Sequence, residues 1–115
     1  MTKIAVRQLR TNLLIDPLGI DTRCPEFSWQ LPEGVSRQVA YQVHVSSTID
    51  FKERLLWNSG RVQSDAISNI TYGGSLLVSS TKYYWRVRVW VDDQEPGAWC
   101  VATFETAKLD PAEWR

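Results

Sequence analysis

The stretch from Lys82 to Val91 constrains this chain more than any other. Tyr83, Trp85, Val87, Val89 and Val91 share one parity, and Tyr84, Arg86, Arg88 and Trp90 share the other. Successive side chains on a β-strand point to opposite faces, so the pattern predicts a strand with an apolar inner face and an arginine-bearing outer face. A helix would scatter both sets around its circumference. Shorter runs repeat the theme. Ile4–Leu9 reads as a first, irregular strand, followed by a loop through Asp16-Pro17-Leu18-Gly19 and Cys24-Pro25. Phe27–Leu31 and Val39–Val45 alternate apolar and polar residues. Leu56–Val62 returns to strand with a bend at Gly60, and Ile67–Tyr72 closes on Gly73-Gly74. Ala98–Thr106 is the last strand, reached through a hairpin loop at Asp92–Gly97. Ser47-Thr48-Ile49-Asp50 has the form of a helix start and predicts one or two helical turns over Phe51–Leu55. Seven short strands with regular turns predict an all-β fold, an antiparallel seven-stranded β-sandwich.

A chain of 115 residues, 43% of them hydrophobic, makes one domain with enough apolar material for a core. We expect the sandwich to occupy residues 1–108. Residues 109–115, Leu-Asp-Pro-Ala-Glu-Trp-Arg, read as the start of a linker to a missing downstream domain. The 13 basic and 13 acidic residues cancel. That balance argues against a dedicated binder of nucleic acid or of anionic membrane. No apolar run approaches the ~20 residues needed to cross a bilayer. No signal peptide is visible at the start, so the expectation is a cytoplasmic protein or a piece of a longer precursor.

One His and two Cys exclude a His-rich metal site and a disulfide-dense scaffold, and Cys24 and Cys100 read as reduced thiols. No cofactor is expected, because no Gly-rich phosphate loop or metal-ligand spacing occurs. Glycoside hydrolysis needs two carboxyl groups facing each other at roughly 5–9.5 Å. The acidic residues here fall mostly in turns: Asp16, Asp21, Glu33, Asp65, Asp92, Asp93 and Glu95. His44 points away from the apolar face of its strand and reads as an exposed or edge residue. No catalytic residue is therefore assigned.

Leu77-x-x-x-Thr81-x-Tyr83-x-Trp85-x-Val87-x-Val89 resembles the E–F corner of fibronectin type III domains, an immunoglobulin-like fold. In that corner a Tyr hydroxyl bonds a backbone group a few residues upstream. The resemblance makes Tyr83 the corner and Leu77 the plug beneath it. It also places Trp29 where that fold keeps a core Trp, and alternation independently puts Trp29, Tyr83 and Trp85 inside.

A longer resemblance spans nearly the whole chain. Asn12-x-x-x-Asp16-Pro17-Leu18-Gly19-Ile20-Asp21-Thr22 leads to Pro25-x-Phe27-Ser28-Trp29, Ala40-Tyr41-Gln42-Val43 and Leu56-Trp57-Asn58-Ser59-Gly60-Arg61-Val62. Tyr83–Trp90 and Trp99-x-x-x-x-Phe104-Glu105 follow. In this order the motifs are similar to the N-terminal region of bacterial α-L-rhamnosidases. Asn58 departs from that family's more frequent Asp, and Cys100 from its usual Ser. The resemblance implies a non-catalytic accessory domain that packs and spaces the other domains of a multidomain inverting glycosidase. The catalytic carboxylates would lie elsewhere, in a helical barrel.

Trp90 and Trp99 fall on the outward parity, together with Arg86 and Arg88. Counting back from the hairpin loop, Val91 should meet Ala98, and Trp90 should meet Trp99. Three uses of this face stay open: an Arg–Trp ladder that stiffens the sheet, a docking surface for a neighbouring domain, and a platform on which a sugar ring stacks. The third would make the chain a carbohydrate-binding module. A generic protein-interaction module is a further alternative. Arg88 or a neighbouring domain is expected to cover part of the two indoles.

Overall fold

The computed structural model describes residues 4–20, 22, 24–52, 55–92 and 95–108. The linker expected at 109–115 lies outside them. The described residues form nine strands: β1 (Arg7–Thr11), β2 (Leu18–Ile20), β3 (Glu26–Gln30), β4 (Ala40–Ser46), β5 (Leu55–Asn58), β6 (Val62–Gln63), β7 (Ile70–Thr71), β8 (Lys82–Trp90) and β9 (Cys100–Thr106). They make two sheets. The smaller has the order β1-β3-β7, and the larger runs β2-β9-β8-β4-β5, with β6 also pairing β4. The architecture is the all-β sandwich the alternation predicts.

Three details differ from the expectation of seven antiparallel strands. The stretch 56–62 splits into β5 and β6, because Gly60 between them takes a positive φ of 68°. The segment read as a loop at Asp16–Gly19 contains β2, which pairs with β9 in parallel. The helical turn expected over Phe51–Leu55 is absent from the described residues. Instead, Asp50 accepts the Lys52 N–H at 3.1 Å, and Phe51 turns to a φ of 56°. A positive φ at Phe51 is incompatible with a helical residue at that position.

Alternation does place the core. Tyr83, Trp85, Val87 and Val89 of β8 face inward and are almost fully buried. Phe27 of β3 meets them from the opposite sheet, stacked on Trp85 with ring centroids 4.4 Å apart. Phe104 of β9 packs on Tyr83 at 5.4 Å and on Phe27 at 5.9 Å. Trp57 closes one side against Tyr72 at 5.5 Å. Each of these large rings removes 150–250 Å² from water, which makes them the main apolar contributors to stability. Trp85 keeps an indole N–H without a partner among the described residues.

Two polar devices tie the layers together. The Val78 N–H donates to the Tyr83 hydroxyl at 2.8 Å, across the turn that leads into β8. Leu77, beside it, is fully buried. Trp29 donates its indole N–H to Gln38 Oε1 at 3.0 Å. Gln38 is itself fully buried, and its amide donates to the carbonyls of Ala66 at 2.8 Å and Ser64 at 3.3 Å. A buried amide must spend its donors and acceptor inside the protein, and Gln38 does. It pins the loop before β4 to the segment after β6.

Candidate functional site

The outward face of the large sheet gathers most of the chain's unusual side chains. Antiparallel register sets the first contacts. β4 and β8 place Ala40 opposite Trp90, Gln42 opposite Arg88 and His44 opposite Arg86. The next strand sets Asn58 opposite His44. Directly opposed residues share a face, so five polar side chains become neighbours by pairing alone.

Hydrogen bonds then fix each guanidinium. Arg88 donates from Nε and Nη2 to Gln42 Oε1 at 3.0 and 2.9 Å. Arg86 Nε donates to His44 Nδ1 at 3.1 Å, and Arg86 Nη2 lies 3.0 Å from the same nitrogen. A ring nitrogen that accepts from arginine carries no proton, so His44 is the neutral tautomer protonated on Nε2. Asn58 hydrogen-bonds the His44 side chain, and Gln42 Nε2 lies 3.2 Å from His44 Nε2. Asn58 Oδ1 also accepts from Gln42 Nε2 at 3.0 Å and from the Gly60 N–H at 2.9 Å.

Aromatic rings fill the spaces between the cations. Arg86 lies 4.5 Å from the Phe51 centroid and 4.2 Å from that of Trp99. Arg88 lies 4.4 Å from Trp99 and 5.4 Å from Trp90. Arg61 approaches Trp90 at 4.8 Å. The result is one alternating ladder: Phe51, Arg86, Trp99, Arg88, Trp90, Arg61. His44 lies 4.6 Å from Trp99. Each cation–π contact contributes about 0.5–2 kcal/mol, more where water is excluded.

This geometry revises two expectations. Trp90 does face outward, but it does not meet Trp99. The register of β8 and β9 pairs Val87 with Cys100, which puts Arg88 level with Trp99. The cause is the far side of the hairpin. The Gly97 N–H donates to the Val89 carbonyl at 2.7 Å, and the Ala98 N–H is taken by the Ile4 carbonyl at 2.8 Å. Pairing therefore shifts by two residues, and Arg88 sits between the indoles. His44 is not an exposed or edge residue. It is 8% exposed, covered by Arg86 and Trp99.

The electrostatics follow from this packing. Burial pushes the His44 imidazole down from 6.5 to about 4, with Arg86 and then Arg88 adding to the shift, against the hydrogen bond it makes to Asn58. Burial also lowers Arg86, helped by Arg88, and it lowers Arg88. His44 cannot serve as a general base here, because its Nδ1 lone pair is occupied. Among the described residues no group of three or more His, Cys, Asp or Glu side chains converges as a metal site. Cys24 is exposed and Cys100 half-buried, its thiol 3.2 Å from the Val6 carbonyl and pushed up by burial.

Of the residues singled out by sequence, Arg86, Arg88, Trp90 and Trp99 come together on one face. Tyr83, Leu77, Trp29 and Trp85 lie in or beside the core. Sequence reasoning missed Phe51, Arg61 and Gln38. Arg61 carried a signal, since Gly60 turns the chain just before it. Phe51 carried none, because a positive-φ aromatic cannot be anticipated from composition.

The sequence and the fold are similar to those of known proteins. The family profile described as "Rha78A-like, N-terminal immunoglobulin domain" matches residues 6–110. An α-L-rhamnosidase of Formosa agariphila is 38% identical over 105 residues, covering 87% of this chain and 11% of that protein. The solved α-L-rhamnosidase from Dictyoglumus thermophilum superposes with a TM-score of 0.85 at 34% identity, covering 96% of this chain and 13% of that one. The Streptomyces avermitilis α-L-rhamnosidase, solved with L-rhamnose, gives 0.86 at 32%, covering 96% and 11%. The chain thus spans about a tenth of the length of the curated relatives it matches.

Proposed function

Because the chain belongs to the family of Rha78A-like N-terminal immunoglobulin domains, we propose that it serves as a non-catalytic accessory domain of a multidomain α-L-rhamnosidase. The parent enzyme would hydrolyse terminal α-L-rhamnosides, with inversion, on carboxylates outside this chain. The observation that carries the reading is the asymmetry of coverage: 87% of this chain against 11% of the Formosa enzyme.

The site chemistry supports it. A domain that supplies chemistry keeps a nucleophile or base available, whereas here Arg86 is bonded to His44 and Arg88 to Gln42. The sugar-platform alternative needs two indole faces open to solvent. Trp90 retains 6% of its surface, which leaves little for a pyranose ring to cover. The ladder's role in this reading is to stiffen the large sheet.

The test is an assay on an aryl α-L-rhamnoside. The 115-residue chain should give no turnover and the parent protein sustained turnover, with the β-anomer of rhamnose appearing first. Turnover by the repurified chain, abolished by changing one Asp or Glu, would overturn the accessory role. An initial α-anomer would overturn inversion alone.

A further inference from the structure

The Asn12-x-x-x-Asp16-Pro17-Leu18-Gly19 motif has no part in the ladder, and the structure gives it a different task. Asn12 and Leu13 form a two-residue turn between Thr11 and Leu14, whose N–H and carbonyl groups exchange bonds at 2.8 and 2.9 Å. Both central residues have positive φ, 50° and 67°, the conformation for which Asn-Gly is the preferred pair. A leucine there is strained. Its neighbours hold it in place. Asn12 Oδ1 accepts the Glu26 N–H at 2.9 Å, from the small sheet. Asp16 Oδ1 accepts the Thr103 N–H at 2.9 Å, from the large sheet.

This pinned loop presents apolar side chains to solvent. Leu13 is 72% exposed, Leu14 55%, Ile15 59% and Leu18 81%. Val101, half exposed on β9, lines the same groove as Ile15. A loop held rigid from both sheets, at the expense of a strained leucine, gains nothing for the isolated sandwich by exposing four large hydrophobes. Contiguous exposed apolar surface of this kind marks an interaction site.

Resting on the accessory-domain reading, we propose that this strip is the seat of the domain that follows residue 108 in the parent polypeptide. The position of the chain's exit argues for that occupant. β2 pairs Leu18 with Glu105 and Ile20 with Thr106, and the Ala107 N–H donates to the Ile20 carbonyl at 2.8 Å. The chain therefore leaves the sandwich beside Ile20, two residues past the exposed Leu18, and the strip runs back from that exit along β9. On the other side of the exit, Leu76 and Val78 are also exposed, and Val78 is tied to it by the Thr106 hydroxyl at 2.6 Å. A covalently tethered neighbour arrives at high effective concentration, so a strip of this modest size suffices to dock it.

Hydroxyl-radical footprinting of the parent protein and of the 115-residue chain tests the proposal. Leu13, Leu14, Ile15 and Leu18 should label rapidly in the chain and several-fold more slowly in the parent. Changing Leu14→Asp with Leu18→Asp in the parent should restore labelling of Leu13 and Ile15 and speed proteolysis after residue 108. The same pair in the 115-residue chain should shift its denaturation midpoint little, since Leu14 and Leu18 are both more than half exposed. Equal labelling of parent and chain would overturn the proposal. So would protection that appears in the chain alone as its concentration rises, because a second copy would then be the occupant. The parent's rhamnosidase activity is read separately, so failure of the accessory role is distinguishable from failure of the docking.

Discussion

The two faces of β8 are built from alternate residues of one strand, yet they hold the molecule together in different ways. The inner face is dry. Tyr83, Trp85, Val87 and Val89 meet the opposite sheet through ring stacking and apolar contact. The outer face carries charge, and it is closed by Arg86 and Arg88 lying between Phe51, Trp99 and Trp90. Apolar burial is nondirectional and scales with area, so the inner face sets most of the stability. Cation–π contacts and hydrogen bonds are directional and individually small. The outer face therefore sets the relative positions of β4, β8 and the 97–99 segment more than it sets the total.

Truncation on each face should break this symmetry most visibly. Trp85→Ala, on the inner face, should cost about 3–5 kcal/mol, because the ring leaves a cavity beside Phe27. Denaturant titration measures it, and a loss below that of an outer-face truncation would refute the division of labour.

Tyr83→Phe sharpens the inner-face account, since it keeps the ring and removes only the hydroxyl that accepts from Val78. The loss should be about 1–3 kcal/mol, the range for leaving a partly buried donor without its acceptor. An unchanged denaturation midpoint would show that the hydroxyl does not anchor the corner.

On the outer face, Trp99→Ala removes the ring shared by Arg86 and Arg88 and should cost about 0.5–2 kcal/mol. Its effect should shrink when Arg88 is already Met, because the two act through one contact. Full additivity would mean that the ladder is a coincidence of packing.

The smallest effect is the pH dependence of that face. His44 titrates near 4 when folded, against an ordinary imidazole's 6.5. The unfolded chain thus binds the proton more tightly, and acid favours unfolding. The stability His44 contributes is fully present above 6.5 and is lost as pH falls through about 4. His44 is the chain's single histidine. The difference between wild type and His44→Gln in midpoint against pH isolates it from the carboxylates. Asn58→Asp, the residue more frequent in the resembling family, should raise the folded-state value toward 6.5 and so shrink the loss, because a carboxylate beside the imidazole favours its charged form. A wild-type minus His44→Gln difference that stays flat between 6.5 and 4 would place the imidazole in water.

Strand parity was legible in the sequence wherever both faces carried a strong signal, as between Lys82 and Trp90. Register was not. It depends on where the hairpin closes, and that is decided by a remote partner, the Ile4 carbonyl that takes the Ala98 N–H. β2 escaped for a related reason. Three residues pairing in parallel with a strand more than eighty positions away leave no local period. The polar members of the candidate site were visible as a shared face, but the burial of His44 was not. It arises from Trp99, whose placement follows from the unread register. Gln38 lies in a loop between strands, and nothing in its neighbours marks it as a fully buried bridge.

The central claim is that these aromatic and charged side chains serve the fold itself and hold no sugar. Indole N–H resonances of the six tryptophans, followed by NMR while L-rhamnose is titrated into the 115-residue chain, test it most directly. Trp90 and Trp99 should show no saturable shift. A saturable shift confined to those two indoles, and absent from Trp29 and Trp85, would contradict it and make the outer face a carbohydrate site.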